Sequence, residues 1–149
     1  MIYLDANVFV YSSLNRKALG DKSRLIVSEV QRGKMFAATS ALSFDELVWA
    51  VKRQRNESEG AAAGEVLLNM PGLTILDIKL DTLSSALGLL KMYHLNPRDS
   101  IHAASALIAK AEYIVSEDPD FDVLTTEIKR RPIMQITTSG GSERVTPNE

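Results

Sequence analysis

The stretch IYLDANVF, residues 2–9, decides the fold. Ile2, Tyr3 and Leu4 form a short apolar run that ends at an acid, the pattern of a buried strand feeding a helix with Asp5 at its carboxyl end. The helix that follows carries Val8, Phe9, Tyr11 and Leu14. If later segments repeat this design, strands alternate with helices, pair in parallel, and deliver the acids at their carboxyl ends into one crevice.

Later segments do repeat it. After Gly20 and Asp21 punctuate the chain, Leu25, Ile26 and Val30 in SRLIVSEVQRGK space an amphipathic helix closed near Gly33. Residues 35–38 are expected as a second strand, with Ser40 as N-cap of a helix through SFDELVWAVKRQR. Its Leu47, Val48, Trp49 and Val51 offer a broad apolar surface, enough for core plus interface. ESEGAAAGEVLLNM is helical at its apolar end, softened by Gly60 and Gly64 and stopped by Pro71 and Gly72. Residues 73–76 read as a third strand, and LDTLSSALGLLKMYHL as an amphipathic helix ending before Asn96 and Pro97. An alanine-rich helix follows over 98–110, its small residues permitting close approach. A fourth strand covers 113–115, a turn 118–121, and a last strand 133–136. From Thr138 the periodicity is lost, so residues 1–137 read as one domain and 138–149 as a flexible tail. The expected class is α/β, a single domain with a short central parallel sheet of four to five strands flanked by helices.

Composition narrows the chemistry. A chain of 149 residues with 45% hydrophobic content suits one domain and one core. The absence of cysteine excludes a disulfide framework and a thiolate zinc site, leaving oxygen ligands and two histidines for metals. The first residues lack a basic leader, and no apolar run approaches the roughly 18 residues that span a bilayer, so a cytoplasmic protein without membrane contact is expected. A net charge of -2, from 17 basic and 19 acidic residues, argues neither for nor against a nucleic-acid partner. The runs Lys52, Arg53, Arg55 and Lys129, Arg130, Arg131 read as solvated faces.

The acids are more informative. Asp5 lies in IYLDANVF, Glu46 in SFDELVWA, Asp99 in NPRDSIHAA, and Asp118 with Asp120 in YIVSEDPDFD, each among apolar residues. A buried carboxylate is costly unless paired or bound to a cation, and the bases near these segments are essentially Arg98 and His102. Carboxylates in that number favour a divalent metal, magnesium or manganese, as one or two ions. Two ions about 3.5 to 4 Å apart would stabilise both oxygens of an in-line displacement at phosphorus. Asn7 could orient a carboxylate or a water. Taken singly, every acid has a plainer role: Asp5 as N-cap, Asp99 as a first-turn acid behind Pro97, Glu46 on a helix surface, Asp118 and Asp120 in a turn around Pro119. One shared site accounts for all of them together.

These segments resemble the PIN-domain ribonucleases, and most closely the small stand-alone toxins of VapBC-type toxin–antitoxin pairs. The resemblance runs over roughly residues 1–136 and rests on four signatures in order: Asp5 with Asn7; Ser40, Glu46 and Leu47; Asp99, Ile101, His102, Ala103 and Ala104; and Ser116, Asp118, Asp120 and Phe121. Serine at 116 replaces the commoner threonine and keeps the hydroxyl. The resemblance implies a metal-dependent endoribonuclease in which Asp5, Glu46, Asp99 and Asp118 hold the metal, Asp120 is an occasional fifth acid, and Asn7 and Ser116 support them. It further implies an RNA substrate, a homodimer, and a small antitoxin that lays a helix in an apolar groove and obstructs the acidic pocket. Housekeeping nucleases of ribosomal RNA processing and RNA decay share the fold.

Other classes fit less well. A phosphatase that opens with Asp-x-Asp needs a second acid where Asn7 stands, and a receiver-like or scaffold domain that binds one magnesium ion leaves Glu46 unexplained. The all-carboxylate set predicts attack by water in line, giving 5'-phosphate and 3'-hydroxyl ends. His102 reads as a core or helix-surface histidine outside the catalytic set, and Trp49, Phe44 and Tyr93 as core or dimer packing rather than base-stacking platforms.

Overall fold

The structure, a computed structural model, describes residues 1–139. Five strands, β1 (Ile2–Leu4), β2 (Ala37–Ser40), β3 (Leu73–Leu76), β4 (Tyr113–Val115) and β5 (Lys129–Arg131), form one parallel sheet in the order β3-β2-β1-β4-β5. The helices are α1 (Ala6–Leu14), α2 (Ala18–Gln31), α3 (Leu42–Gln54), α4 (Glu57–Leu68), α5 (Leu80–Tyr93) and α6 (Pro97–Ile108). Two short 3₁₀ turns, Pro119–Leu124 and Ile133–Gln135, follow β4 and β5. The chain builds outward from β1 to β2 and β3, then crosses back to add β4 and β5 on the other side. The strand order therefore reverses between β1 and β4, and ligands of open α/β sheets bind at the carboxyl ends beside such a reversal.

Alternation along the strands feeds two cores. Ile2 and Leu4 of β1 and Val115 of β4 join Val8, Phe9, Ile26, Val30, Leu47 and Leu67 on the face covered by α1 to α4. Tyr3 and Ile114, one residue out of phase, join Leu95, Ala103, Ala106, Phe121 and Leu124 on the face covered by α5 and α6. The small residues of α6 let it lie close to the sheet, with Ala103, Ala104 and Ala106 fully buried. Gly60 and Gly64 do the same for α4: a Cβ at Gly64 would stand 2.7 Å from both Phe44 and Val48 of α3.

Several expectations need correction. The second strand lies over Ala37–Ser40, so Ser40 ends a strand rather than starting a helix, although its hydroxyl still accepts from the Leu42 amide at 3.2 Å. Gly20 and Asp21 lie inside α2; a Cβ at Gly20 would meet the Asn15 carbonyl oxygen at 1.9 Å, so glycine marks a close approach there. The last strand is the charged Lys129–Arg131 at the sheet edge, not 133–136. Pro132 ends it, and Ile133 and Ile136 are three apart because they anchor a 3₁₀ turn to the core. Arg130 is no loose surface charge: it grips Asp122 at 2.7 and 2.8 Å and the Ser116 carbonyl at 3.1 Å. Trp49 is 56% exposed, with Arg53 over its ring at 4.9 Å, so of the two roles expected of it, core or dimer packing, the core one does not hold. Of the expected tail, Thr138 is buried and Ser139 donates to the Glu29 carboxylate; residues 140–149 lie outside the described part. Among the described residues no helix is long and apolar enough to cross a membrane.

The turn into β3 depends on Gly72, whose φ is +77° and where a Cβ would stand 2.2 Å from the Val30 carbonyl oxygen. Gly33 has φ +69° in open space. Gly72→Ala is expected to cost about 2 kcal/mol or more and Gly33→Ala about 1 kcal/mol, because strain adds to steric conflict only at Gly72. Denaturant melts of both variants check the order; equal losses would refute it.

Candidate active site

Asp5 leaves the end of β1 as the N-cap of α1. One carboxylate oxygen accepts the Ala6 amide at 2.7 Å and the other the Ser116 hydroxyl at 2.6 Å. Parallel pairing of β1 with β4 sets Leu4 beside Val115, so the residue after each strand falls at the same edge. Ser116 uses that position fully: its oxygen also accepts the Asn7 side-chain amide at 2.9 Å and the Asp118 backbone amide at 3.0 Å. Asp118 in turn caps the 3₁₀ turn by accepting from the Asp120 amide at 2.9 Å. Asp99 sits in the first turn of α6, behind Pro97, and Glu46 points inward from α3.

Asp5, Asn7, Glu46, Asp99 and Asp118 line one cleft of about 240 Å³ together with Ala6, Val10 and Tyr11. Carboxylates from four separate segments are thus brought together. Within reach of one another they form two groups: Asp5, Glu46 and His102, and Asp99, Asp118 and Asp120. Asp120 stands on the exposed rim, where Asn96 donates to both Asp120 (3.2 Å) and Asp99 (3.3 Å).

Electrostatics report the crowding. Burial pushes the Asp5 carboxyl up, against the pull of His102 and Ser116. Burial, followed by the neighbouring Asp118, pushes Asp99 up to about 6. Burial pulls His102 down, but its hydrogen bond to Glu46 and the charge of Asp5 leave it raised overall. Of the two bases expected here, Arg98 is exposed and forms no ion pair among the described residues, whereas His102 is buried beside Glu46 at 2.6 Å. Of the two readings of His102, core or helix surface, burial upholds the core one, and neither named its partner; its place one helical turn after Asp99 was the available signal. Asn96 and Tyr3 carried no signal of their own.

The residues fit a divalent cation. The donors are hard carboxylate oxygens, the acids have too few basic partners, and the Asn7 side-chain oxygen is buried in the cleft without a partner among the described residues.

The PIN domain family profile matches residues 2–126. The chain belongs to the PIN domain family. Ribonuclease VapC7 of Mycobacterium tuberculosis is 32% identical over 125 residues, covering 81% of this chain and 84% of that protein. Among solved structures, VapC20 of M. tuberculosis, described as a sarcin–ricin loop cleaving toxin, superposes with a TM-score of 0.70 at 15% identity, over 87% of this chain and 98% of that one. VapBC2 from Rickettsia felis, bound to a DNA fragment from their promoter, gives 0.67 at 19% identity, over 89% and 98%. At such identities these structures corroborate the PIN fold.

In the metal-free PIN domain the Asp99 charge works against folding. Its folded value of about 6 exceeds the unfolded one of about 3.9, so the folded state holds the proton more tightly and loses stability as pH rises through that window. Asp99→Asn is expected to raise the melting temperature of chelator-treated protein at pH 7.5 and to have little effect at pH 4. A variant that melts below the parent at pH 7.5 would contradict this.

Proposed function

We propose that the chain is a metal-dependent endoribonuclease of the cytoplasm, acting as the toxin of a toxin–antitoxin pair. The observation that carries the reading is the convergence of Asp5, Glu46, Asp99 and Asp118 in one cleft at the β1–β4 reversal. Glu46 belongs to that cleft, and a phosphoacceptor domain with acids only at strand ends would not need it. The relationship to Ribonuclease VapC7 supports RNA as substrate, and the likeness to VapBC2 supports an antitoxin partner.

Asp5, Asp99, Asp118 and Glu46 would hold magnesium or manganese, with Asp120 as an auxiliary acid. When bound, such an ion neutralises phosphodiester charge and lowers the pKa of water. The protein's own contribution is rigidity and exclusion. The Ala6 amide and Ser116 fix both oxygens of Asp5, Ser116 ties Asp118 and Asn7 to the same point, and the buried Asn7 oxygen, without a partner among the described residues, can accept a hydrogen bond from water in the cleft. Water attack in line would leave 5'-phosphate and 3'-hydroxyl ends. Incubation with single-stranded RNA, tRNA and ribosomal RNA, with Mg²⁺, Mn²⁺ or EDTA, tests the reading. We expect metal-dependent cleavage that falls at least a hundredfold in Asp99→Asn; cleavage undiminished in EDTA, or 2',3'-cyclic phosphate ends, would overturn it.

The antitoxin would lie in the apolar groove of about 340 Å³ lined by Phe9, Val27, Leu47, Val51, Val66 and Met70. That groove is lined mainly by α1, α3 and α4, and α1 and α3 also carry Asn7 and Glu46. The exposed Trp49 remains our candidate for homodimer contacts. Val66 is 57% exposed, so Val66→Glu should fold and cut RNA normally. Inhibition of this variant by the proposed antitoxin is expected to weaken at least tenfold, since burying an unpaired charge is costly. Unchanged inhibition would place the antitoxin elsewhere.

A further inference from the structure

His102 is joined directly to two elements and, through Tyr3, to a third. The Ser40 amide at the end of β2 donates to the Tyr3 hydroxyl oxygen at 3.0 Å, that hydroxyl lies 2.7 Å from His102 Nδ1, and His102 Nε2 lies 2.6 Å from Glu46 Oε2. The Glu46 carboxylate can only accept, so the ring donates to it from Nε2, and in the neutral ring Nδ1 accepts from the Tyr3 hydroxyl. Nε2 is then the nitrogen that carries the ring proton, and it points at Glu46. A doubly protonated ring would donate to Glu46 from the same atom, so the contact does not depend on the ring's charge. Nε2 stands 3.6 Å from Asp5, too far for a hydrogen bond, so Glu46 is the partner.

Glu46 has greater need of such a partner than Asp5. Asp5 is held by a backbone amide and a serine. Glu46 reaches inward on a longer side chain and accepts no other hydrogen bond among the described residues. Resting on the nuclease reading above, we propose that His102 is the positioning residue of Glu46, its Nε2–H holding Oε2 so that Oε1 is presented to the divalent cation. His102 itself touches no substrate in this role. The competing account is that the ring only fills space beneath α6, where it is 1% exposed.

Two amide substitutions separate these accounts. Glutamine at 102 can place its side-chain nitrogen near the position of Nε2 and still donate to Glu46, whereas asparagine reaches only as far as Nδ1. Mn²⁺ affinity, measured by calorimetry on the full chain without RNA, is expected to fall about tenfold or more in His102→Asn and to stay within about threefold of the parent in His102→Gln. In RNA cleavage the Asn variant should lose kcat with KM little changed. Because the chain has two histidines, a ¹⁵N-histidine NMR spectrum of the parent gives an independent reading that survives even if a variant misfolds. The His102 ring should be protonated at Nε2, and Glu46→Ala should shift that resonance. Equal Mn²⁺ affinity in the two amide variants, or a bare Nε2, overturns the role of His102 alone. A parent that binds no Mn²⁺ and cuts no RNA overturns the nuclease reading as well.

Discussion

Carboxylates crowded into a partly dry cleft repel one another, and the structure at the carboxyl edge of the sheet answers that constraint. Two unit charges about 5 Å apart cost about 3 kcal/mol at an effective dielectric constant near 20, and lost hydration adds to this. Hydrogen bonds to a charged group return about 1.5 to 3 kcal/mol each, so each acid needs dedicated donors. Asp5 has the Ala6 amide and Ser116, while Glu46 has His102. Asp99 and Asp120 share one neutral donor, Asn96, and that is too little: Asp99 still sits at about 6. The shortfall is greatest where the proposed metal would bring its charge.

Strand β1 links this edge to the rest of the fold. Its end supplies Asp5; Ile2 and Leu4 tie it to the α1–α4 core; Tyr3, out of phase by one residue, sends its hydroxyl to the opposite face to meet His102 and the Ser40 amide. Three residues therefore fix one acid directly and another through the imidazole. A slip of one residue in the pairing of β1 would exchange the two faces and separate Tyr3 from His102.

Much of this was legible in the sequence because it rests on local pattern. Alternating short apolar runs and helical stripes gave the parallel α/β sheet, and acids directly after β1 and β4 had to fall at one edge once those strands paired. Glu46 was legible chiefly through the family resemblance, since its apolar neighbours alone do not distinguish a helical glutamate that faces a cleft from one that faces water. What escaped depends on partners distant in sequence. Pairing with β4 makes a strand of Lys129–Arg131, whose composition suggests surface, and Tyr3 gives His102 its orientation from 99 positions away in the chain.

The apolar groove and the acidic cleft share helices, and that has a consequence for the proposed antitoxin. Glu46 faces the cleft while Leu47, the next residue on α3, lines the groove; on α1, Asn7 faces the cleft and Phe9 the groove. Both helices are packed on a close-fitted core and have little room to shift. A helix seated in the groove would therefore inhibit less by deforming the site than by reaching over these helices with a long cationic side chain. The cleft favours such a group, because its acids have too few basic partners of their own. The same negative charge would attract the metal, so the antitoxin's cation and the metal would compete for one field, and inhibition should be sensitive to metal concentration.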